Sequence, residues 1–138
     1  MRDAIIREAE SWLDPPTLYH HAADIKSVGV DCAMLLVRVF CDLGLAPAFD
    51  PRPYPHDWML HRSEERFLGW VEQFAVRVDE PAPGRVAIFR FGRCASHGGI
   101  LCDGGMMIHA DLRAGRVIRS ELATYAHRLH SIWSVHGV

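Results

Sequence analysis

Long apolar runs are absent from this chain of 138 residues. No stretch approaches the ~20 consecutive apolar residues that a membrane-spanning helix needs, so we expect no membrane span. The N-terminal segment, MRDAIIREAESWLD, mixes acidic with apolar residues and has the pattern of neither a secretory signal nor a membrane anchor. We therefore expect a protein made in the cytoplasm without a signal peptide. Its length predicts a single domain, residues 1–138, that buries its own core.

The sequence also lacks a strong charge of either sign and lacks paired cysteines. Its formal net charge is −2, with 23% charged residues, which argues against a general nucleic-acid-binding protein. We expect free thiols, because no CxxC pair occurs among the four cysteines, which are Cys32, Cys41, Cys94 and Cys102. A zinc site built from these cysteines and some of the nine histidines is the weaker alternative, since the paired spacing typical of structural zinc is missing. We expect no metal and no organic cofactor.

Helical patterns fill the first half of the chain. Apolar residues recur at helical spacing over residues 3–13, and the DPP segment that follows predicts the end of this helix. A second helix is expected to start at residue 31 or 32 and to end near Gly44. It is apolar nearly all round, which predicts a central position in the fold. After a proline-rich surface loop, a third helix is expected over residues 63–78, with Ser63 as its N-cap.

Short β-rich runs separated by glycine and aspartate turns make up the second half. They are GRVAIFRFG, SHGGILCDG, MMIHADL, RVIRSEL and RLHSIWSVH. The CDGG segment between the second and third of these runs is a strong hairpin signal. Helices followed by an antiparallel sheet predict an α+β domain.

Cys32 has the surroundings of a reactive thiol, whereas Cys41 does not. If Asp31 caps the second helix, Cys32 lies in its first turn, where free backbone N–H groups and the helix dipole favour an anion. A cysteine in such a position can have its pKa lowered from ~8.5 to between ~3.5 and ~7.5, especially beside an imidazolium. Cys41 lies nine residues further along, inside the apolar helix, and is interpreted as a small buried hydrophobic residue.

A nucleophilic thiol needs a base, and the predicted hairpin selects two of the nine histidines. His97 opens the strand HGGILC and His109 lies on the strand after the turn, so the two are close to opposite each other, within one or two residues of register. Two imidazoles on neighbouring strands fit a general base and the group that orients it. Taken singly, each is more often an ordinary strand histidine. The other histidines are interpreted as surface or loop residues, of which His20, His21 and His56 are candidates to line a groove.

Three sequence blocks together resemble the signature of NlpC-type cell-wall cysteine peptidases. They are VGVDCAMLL, PAPGRVAIF and SHGGILCDGGMMIHA, within a resemblance that runs from about residue 4 to residue 135. The nearest group is the short one encoded in phage tail modules and related gene-transfer particles. The resemblance implies a papain-like α+β fold in which the helix that carries the nucleophile packs on a C-terminal antiparallel sheet. It also implies hydrolysis of amide bonds in peptidoglycan stem peptides, characteristically the bond between D-glutamate, through its γ-carboxyl, and the diamino acid that follows.

The same resemblance implies a role for each matching residue. Cys32 is the nucleophile, His97 the general base and acid, and His109 the residue that orients His97. Tyr19, in the TLYHH segment ahead of the cysteine, matches the family's upstream tyrosine near the nucleophile. The substrate-binding residues that the resemblance implies are Tyr19, Asp31, Ala33, Ser96 and Gly98.

Some positions depart from the family's pattern. Met34 stands where the family usually has a small residue, and Arg85 stands where it commonly has aspartate. The family's Gly-Gly segment between the tyrosine and the cysteine is reduced to KSVGVD. These departures bear on substrate preference and rate more than on mechanism. The sequence shows no separate wall-binding domain, so the resemblance implies a partner such as a phage-like tail, with the protein carried in the particle and acting at the cell wall.

Other functions stay open at this stage. A structural tail-assembly protein would keep this fold without activity, although it has little reason to keep Cys32, His97 and His109 aligned. A deamidase or transacylase would use the same three side chains, because acyl-enzyme chemistry is shared and the acceptor depends on the shape of the groove. Redox sensing by Cys32 is weaker, since Cys41 lies about 13 Å away along the helix at 1.5 Å per residue.

Overall fold

The computed structural model describes residues 1–54, 66–92 and 94–135. Helix α1 spans Arg2–Glu10, α2 spans Cys32–Asp42 and α3 spans Arg66–Glu72. Helix α1 ends before the DPP segment, in a run of turns, and α2 begins where the sequence pattern predicts. The predicted N-cap Ser63 lies outside the described residues. Within these ranges, no helix is long and apolar enough to cross a bilayer.

The third helix is shorter than its sequence pattern predicts. We expected it over residues 63–78, but α3 ends at Glu72 and Ala75–Val78 is a strand. The AVRV segment contains two β-branched valines and pairs with the last strand of the chain. The prediction was wrong there because a short apolar run fits a helix and a strand equally well until its pairing partner is known.

One sheet of nine strands runs through the described residues. Three two-residue strands come from the first half of the chain, namely β1 (Leu18–Tyr19), β2 (Asp24–Ile25) and β3 (Gly29–Val30). The longer ones are β4 (Ala75–Val78), β5 (Val86–Phe91), β6 (Cys94–Leu101), β7 (Met106–Asp111), β8 (Arg116–Glu121) and β9 (Leu129–Val135). Their order is β2-β3-β1-β8-β7-β6-β5-β9-β4, antiparallel except between β1 and β3. A 3-10 helix, Leu122–Arg128, joins β8 to β9. The predicted α+β class is confirmed.

The β6–β7 hairpin sets the relative positions of two histidines. Its turn, Asp103–Gly105, contains two glycines that each have a φ of +73°, a conformation that a side chain with a Cβ rarely adopts. Ile100 on β6 pairs with Ile108 on β7. In this register His97 lies two residues beyond the position directly opposite His109, within the range that the sequence predicts.

Helix α2 is central, as its apolar sequence predicts. Most of its residues are buried, and it packs against β6. The Asp31 side chain caps it, because Oδ1 accepts from the backbone N–H of Met34 at 2.9 Å. Oδ2 accepts from the backbone N–H of Ala22 at 2.8 Å and from the hydroxyl of Tyr54. Cys41 is half-buried rather than buried, since it lies at the end of α2 where its thiol donates to a loop carbonyl.

Glycine at position 98 lets α2 and α3 approach β6 closely. A Cβ at Gly98 would lie 2.9 Å from Cδ1 of Leu36 and 3.0 Å from Cζ of Phe67. The space beside Gly98 is therefore filled by the protein's own side chains on this face. Gly99 has the same effect on the other face, where a Cβ would lie 3.0 Å from Sδ of Met107.

Candidate active site

Cys32 is the first residue of α2, and its sulfur lies against β6. The thiol donates to the carbonyl oxygen of Ser96 at 3.4 Å. The backbone N–H groups of Gly98, Ala33 and Cys32 itself lie close to the sulfur and lower the pKa of the thiol. Ser96 and Gly98 are the chain neighbours of His97, so these contacts place the sulfur beside that histidine.

Three further side chains form a hydrogen-bonded row across one face of the sheet. Nε2 of His97 on β6 lies 2.8 Å from Nδ1 of His109 on β7. Nε2 of His109 lies 2.8 Å from Oγ of Ser120 on β8. His109 pairs with Ile118, two residues before Ser120, so the row runs diagonally over the strands. Because Nε2 of His97 is engaged, Nδ1 is the nitrogen left for the thiol.

Aromatic rings hold this row in place. His109 is fully buried, and the ring centroid of Tyr125 lies 5.2 Å from that of its imidazole. His97 is half-buried between Phe89 and Phe91, with ring centroids 5.9 Å and 5.4 Å away. Packing on both sides restricts rotation of the two imidazoles, so their hydrogen-bond partners are set by the fold.

Burial determines the protonation state of the unliganded site. It raises the pKa of the Cys32 thiol, and the negative charge of Asp31 raises that pKa further, whereas the surrounding N–H groups lower it. Burial, with a smaller effect of His109, lowers the pKa of His97 to about 3, and burial lowers that of His109 to about 4. A neutral thiol therefore lies beside a neutral imidazole near neutral pH. The low thiol pKa expected from the helix end is wrong for this state, because the sequence pattern reveals neither the burial nor the Asp31 carboxylate beside the sulfur.

Cys32 and His97 open into a cleft of about 360 Å³. Two arginines, Arg113 and Arg128, line this cleft, and His127 lies there as well. Asp111 is the acidic residue among the described lining residues. The guanidinium of Arg128 lies 4.7 Å from the ring centroid of Phe91, which also contacts His97. The other lining residues are Tyr19, Ser96, Leu112, Thr124 and Tyr125. The cleft beside the thiol therefore favours an anionic ligand.

The residues predicted to bind substrate divide into two groups. Tyr19 and Ser96 line the cleft with Cys32 and His97. Burial raises the pKa of Tyr19, and any negative charge on Cys32 would raise it further, so its hydroxyl stays protonated at neutral pH. The other three lie behind the thiol and do not line the cleft: Asp31 caps α2, Ala33 faces the interior between α2 and α3, and the backbone N–H of Gly98 lies close to the sulfur. Their role in substrate binding stays a prediction.

Several residues at the site escaped the sequence analysis. Ser120 carries no motif, and only the register of β7 against β8 reveals it. Tyr54 is buried against Asp31, although it comes from a loop that the sequence marks only as rich in proline. His127 lines the cleft from the 3-10 helix, whereas His21 lies beside Tyr54, to whose carbonyl its Nε2 bonds at 3.1 Å. His56, predicted to line a groove, lies outside the described residues.

All four cysteines are free. In residues 1–54, 66–92 and 94–135, we find no group of three or more histidine, cysteine, aspartate or glutamate side chains that could hold a metal ion.

One family model covers the motif blocks and the residues of the candidate site. Residues 17–134 match the family model described as NlpC/P60 family. This chain belongs to the NlpC/P60 family. The matched range of this NlpC/P60 protein contains Cys32, His97 and His109. No curated protein gave a significant match to the sequence.

Solved structures of NlpC/P60 proteins share the fold. The NlpC/p60 domain of the peptidoglycan hydrolase SagA is 18% identical with a TM-score of 0.66, and the alignment covers 98% of this chain and 99% of that one. NlpC1 from Trichomonas vaginalis is 17% identical with a TM-score of 0.66, covering 96% of this chain and 45% of that one. The peptidoglycan hydrolase RipB from Mycobacterium tuberculosis is 18% identical with a TM-score of 0.63, covering 99% and 64%. The papain-like NlpC/P60 fold expected from the sequence is therefore confirmed.

Proposed function

We propose that this NlpC/P60 chain is a cysteine peptidase that hydrolyses amide bonds in peptidoglycan stem peptides. One observation carries the proposal: the Cys32 sulfur lies between two neighbours of His97, and Nε2 of His97 lies 2.8 Å from His109. A thiol, a base and an orienting group in this order suit acyl transfer from an amide. Family membership supports peptidoglycan as the substrate class, and SagA and RipB are both named peptidoglycan hydrolases.

In the first step, the sulfur of Cys32 attacks the carbonyl carbon of the scissile amide. The thiol proton moves to Nδ1 of His97 as the carbon–sulfur bond forms, because both groups are neutral before the attack. Amides at the start of α2, that of Cys32 among them, stabilise the oxyanion. His97 then gives its proton to the leaving amine, the carbon–nitrogen bond breaks and a thioester remains.

In the second step, water hydrolyses the thioester. His97 takes a proton from the water as its oxygen attacks the carbonyl carbon, and returns that proton to the sulfur as the carbon–sulfur bond breaks. His109 keeps the ring plane and the tautomer of His97 through both steps. Its loss is expected to cost less activity than loss of Cys32 or His97, because it orients the base without touching the substrate.

The scissile bond that we propose joins the γ-carboxyl of D-glutamate to the diamino acid that follows. This bond rests on the family resemblance of the motif blocks. A γ-linked glutamate leaves its α-carboxyl outside the linkage, so the substrate carries an anionic group close to the reacting carbonyl. Arg113 and Arg128 in the cleft supply the matching positive charge.

We also propose that a phage-like tail carries the protein to the wall. The proposal rests on the likeness of the DC and two-histidine blocks to the short tail-encoded group. Mass spectrometry of purified particles from the source genome tests it, because the intact chain should be present in the particle at constant stoichiometry. Its absence from particles that still penetrate the wall would remove this part of the proposal.

A defined stem tetrapeptide, analysed by mass spectrometry, tests the peptidase. The wild-type chain should release an N-terminal dipeptide that ends in D-glutamate, with a new free amine on the diamino acid. Cys32→Ala and His97→Ala should abolish release. Cys41→Ala is the matched control, because Cys41 lies at the other end of α2 and should leave the rate unchanged.

The product also separates the other functions. A changed mass without chain cleavage would indicate deamidation, and a product joined to an added amine would indicate acyl transfer to an acceptor other than water. Failure to cut either the peptide or intact sacculi, with Cys32 still accessible to alkylation, would contradict the proposed hydrolysis and favour a structural role.

A further inference from the structure

The end of the hydrogen-bonded row points to a function for Ser120. We propose that Ser120 is a fourth residue of the site, a positioning residue whose hydroxyl oxygen accepts the Nε2–H of His109. Through His109 it stabilises the positive charge that forms on His97 when Cys32 loses its proton. The inference rests on the proposed function for the use of that charge in turnover, but the proton transfer itself involves only the thiol and the histidines.

Both nitrogens of His109 have a partner inside the protein. Nδ1 lies 2.8 Å from Nε2 of His97, and Nε2 lies 2.8 Å from Oγ of Ser120. The imidazole itself is fully buried. A buried N–H group that loses its acceptor retains the full cost of its desolvation, so the partner of Nε2 affects any state in which Nε2 carries a proton.

The direction of the hydrogen bonds decides whether His97 can act as a base. If the Ser120 hydroxyl donated to Nε2 of His109, the proton of His109 would be on Nδ1 and would point at Nε2 of His97. His97 would then carry its own proton on Nδ1 and could not accept one from the thiol. With Ser120 as acceptor, every bond in the row reverses and Nδ1 of His97 keeps its lone pair.

When His97 is protonated, only the direction with Ser120 as acceptor is possible. When the proton moves from Sγ of Cys32 to Nδ1 of His97, the imidazolium has N–H groups on both nitrogens. Its Nε2–H donates to Nδ1 of His109, whose Nε2–H donates to Oγ of Ser120. No proton leaves either histidine, and the positive charge is spread by polarisation along the row. Ser120 is half-buried, so its own hydroxyl hydrogen can turn toward solvent.

Other groups that face His109 do not supply this acceptor. Tyr125 packs its ring edge-on against the imidazole from the 3-10 helix. Asp111, further along the same strand, raises the pKa of His109 through its charge, an effect smaller than that of burial. His97 occupies the Nδ1 side, with Cys32 beyond it. Among the described hydrogen bonds, Oγ of Ser120 is the partner of Nε2.

Three variants separate this role from ordinary packing. Ser120→Ala removes the oxygen, and Ser120→Thr keeps it on a β-branched residue that suits a strand. Ser131→Ala is the matched control, because it removes a buried serine of the same sheet whose Oγ accepts from Nε1 of Trp133 at 2.7 Å. The same Oγ lies 2.8 Å from Nδ1 of His130, so the control loses hydrogen bonds of similar kind that do not involve His97 or His109.

The test has two readouts without peptide substrate and one with it. Nitrogen-15 NMR of the imidazoles should show His109 as the Nε2–H tautomer in the wild type and in Ser120→Thr, and a mixture of tautomers in Ser120→Ala. Alkylation of Cys32 by iodoacetamide at neutral pH, followed by peptide mapping, should slow about tenfold in Ser120→Ala only. With the stem tetrapeptide, kcat should fall by a similar factor while KM stays within about twofold.

Each contrary result has a distinct meaning. The proposal would be overturned if Ser120→Ala is alkylated at the wild-type rate and its His109 keeps the wild-type tautomer. Equal losses in the alanine and threonine variants, or in Ser131→Ala, would assign the effect to packing and overturn it as well. Absence of peptide cleavage by the wild type, with the NMR and alkylation results as expected, would leave the role of Ser120 intact and refute the proposed peptidase.

Discussion

The reactivity of Cys32 toward alkylation should depend strongly on pH. Burial and the Asp31 carboxylate raise the pKa of its thiol above the ordinary value of 9.0. An ordinary thiol of that pKa is about 1% thiolate at pH 7, and the fraction changes about tenfold per pH unit. The thiolate fraction of Cys32 should be smaller still. We therefore expect the contribution of direct thiol ionisation to the rate of alkylation by iodoacetamide to rise about tenfold per pH unit between about pH 7 and pH 9.

His97 enters this measurement as a base rather than as an ion-pair partner. Its pKa of about 3 leaves the imidazole neutral throughout the range, so it assists removal of the thiol proton. Transfer of the thiol proton to His97 leaves the number of bound protons unchanged, so this contribution to the rate does not depend on pH. His97→Ala should therefore slow alkylation at pH 7 and make the rate rise more steeply with pH. Cys41→Ala simplifies the assay by removing a half-buried thiol, and a free cysteine peptide gives the reference slope. A wild-type rate at pH 5 that equals the rate of the fully ionised reference thiol, and is lost in His97→Ala, would establish a resting thiolate–imidazolium pair and refute our account of burial.

Three further results are expected. Gly98→Ala should lower the free energy of unfolding in urea by about 1–3 kcal/mol, because its Cβ would lie 2.9 Å from a core side chain; Gly69→Ala, in open space on α3, should not. Asp31→Ala should lower the free energy of unfolding by about 1–3 kcal/mol, because the donors on Met34, Ala22 and Tyr54 lose their acceptor. Asp31→Asn, which can still cap α2, should lower it by less. The free energy of unfolding should also fall as pH drops from about 6.5 to about 4, because the His109 imidazole takes up a proton in the unfolded chain but not in the buried site. The loss attributable to His109 is about 3 kcal/mol. An equal fall in His109→Gln would contradict this assignment to His109.

Local signals in the sequence predicted the elements that carry the candidate site. Asp31 followed by an apolar run indicates a capped, buried helix, and CDGG indicates a tight hairpin, because both are properties of a few adjacent residues. The strand β4 and the two-residue strands β1–β3 were not predicted. They exist because of pairing with distant strands, as in the match of Val76 to Ser134, and no local pattern encodes such pairing.

The sequence predicted which residues form the candidate site better than it predicted their pKa values. The approach of His97 to His109 follows from the register of a local hairpin, whereas the approach of Cys32 to β6 depends on the packing of α2 against the sheet. The catalytic roles of all three stay a proposal. The raised pKa of Cys32 depends on burial, which only the assembled fold determines. Ser120 was missed for a related reason: it lies two strands from His97 in a β-rich run without a motif, and only the register of β8 brings it to His109.

The diagonal row makes the length of the β6–β7 turn as consequential as the side chains in the cleft. Side chains alternate between the faces of a strand, so inserting or deleting one turn residue would send the His109 imidazole to the opposite face of the sheet. A change of two residues would restore the face but slide the imidazole about 7 Å along β7, at 3.4 Å per residue, beyond reach of both His97 and Ser120. The three turn residues lie away from the thiol, yet their number is tied to the proposed catalysis. Natural or engineered length variants in this hairpin are therefore expected to lose activity while keeping the fold.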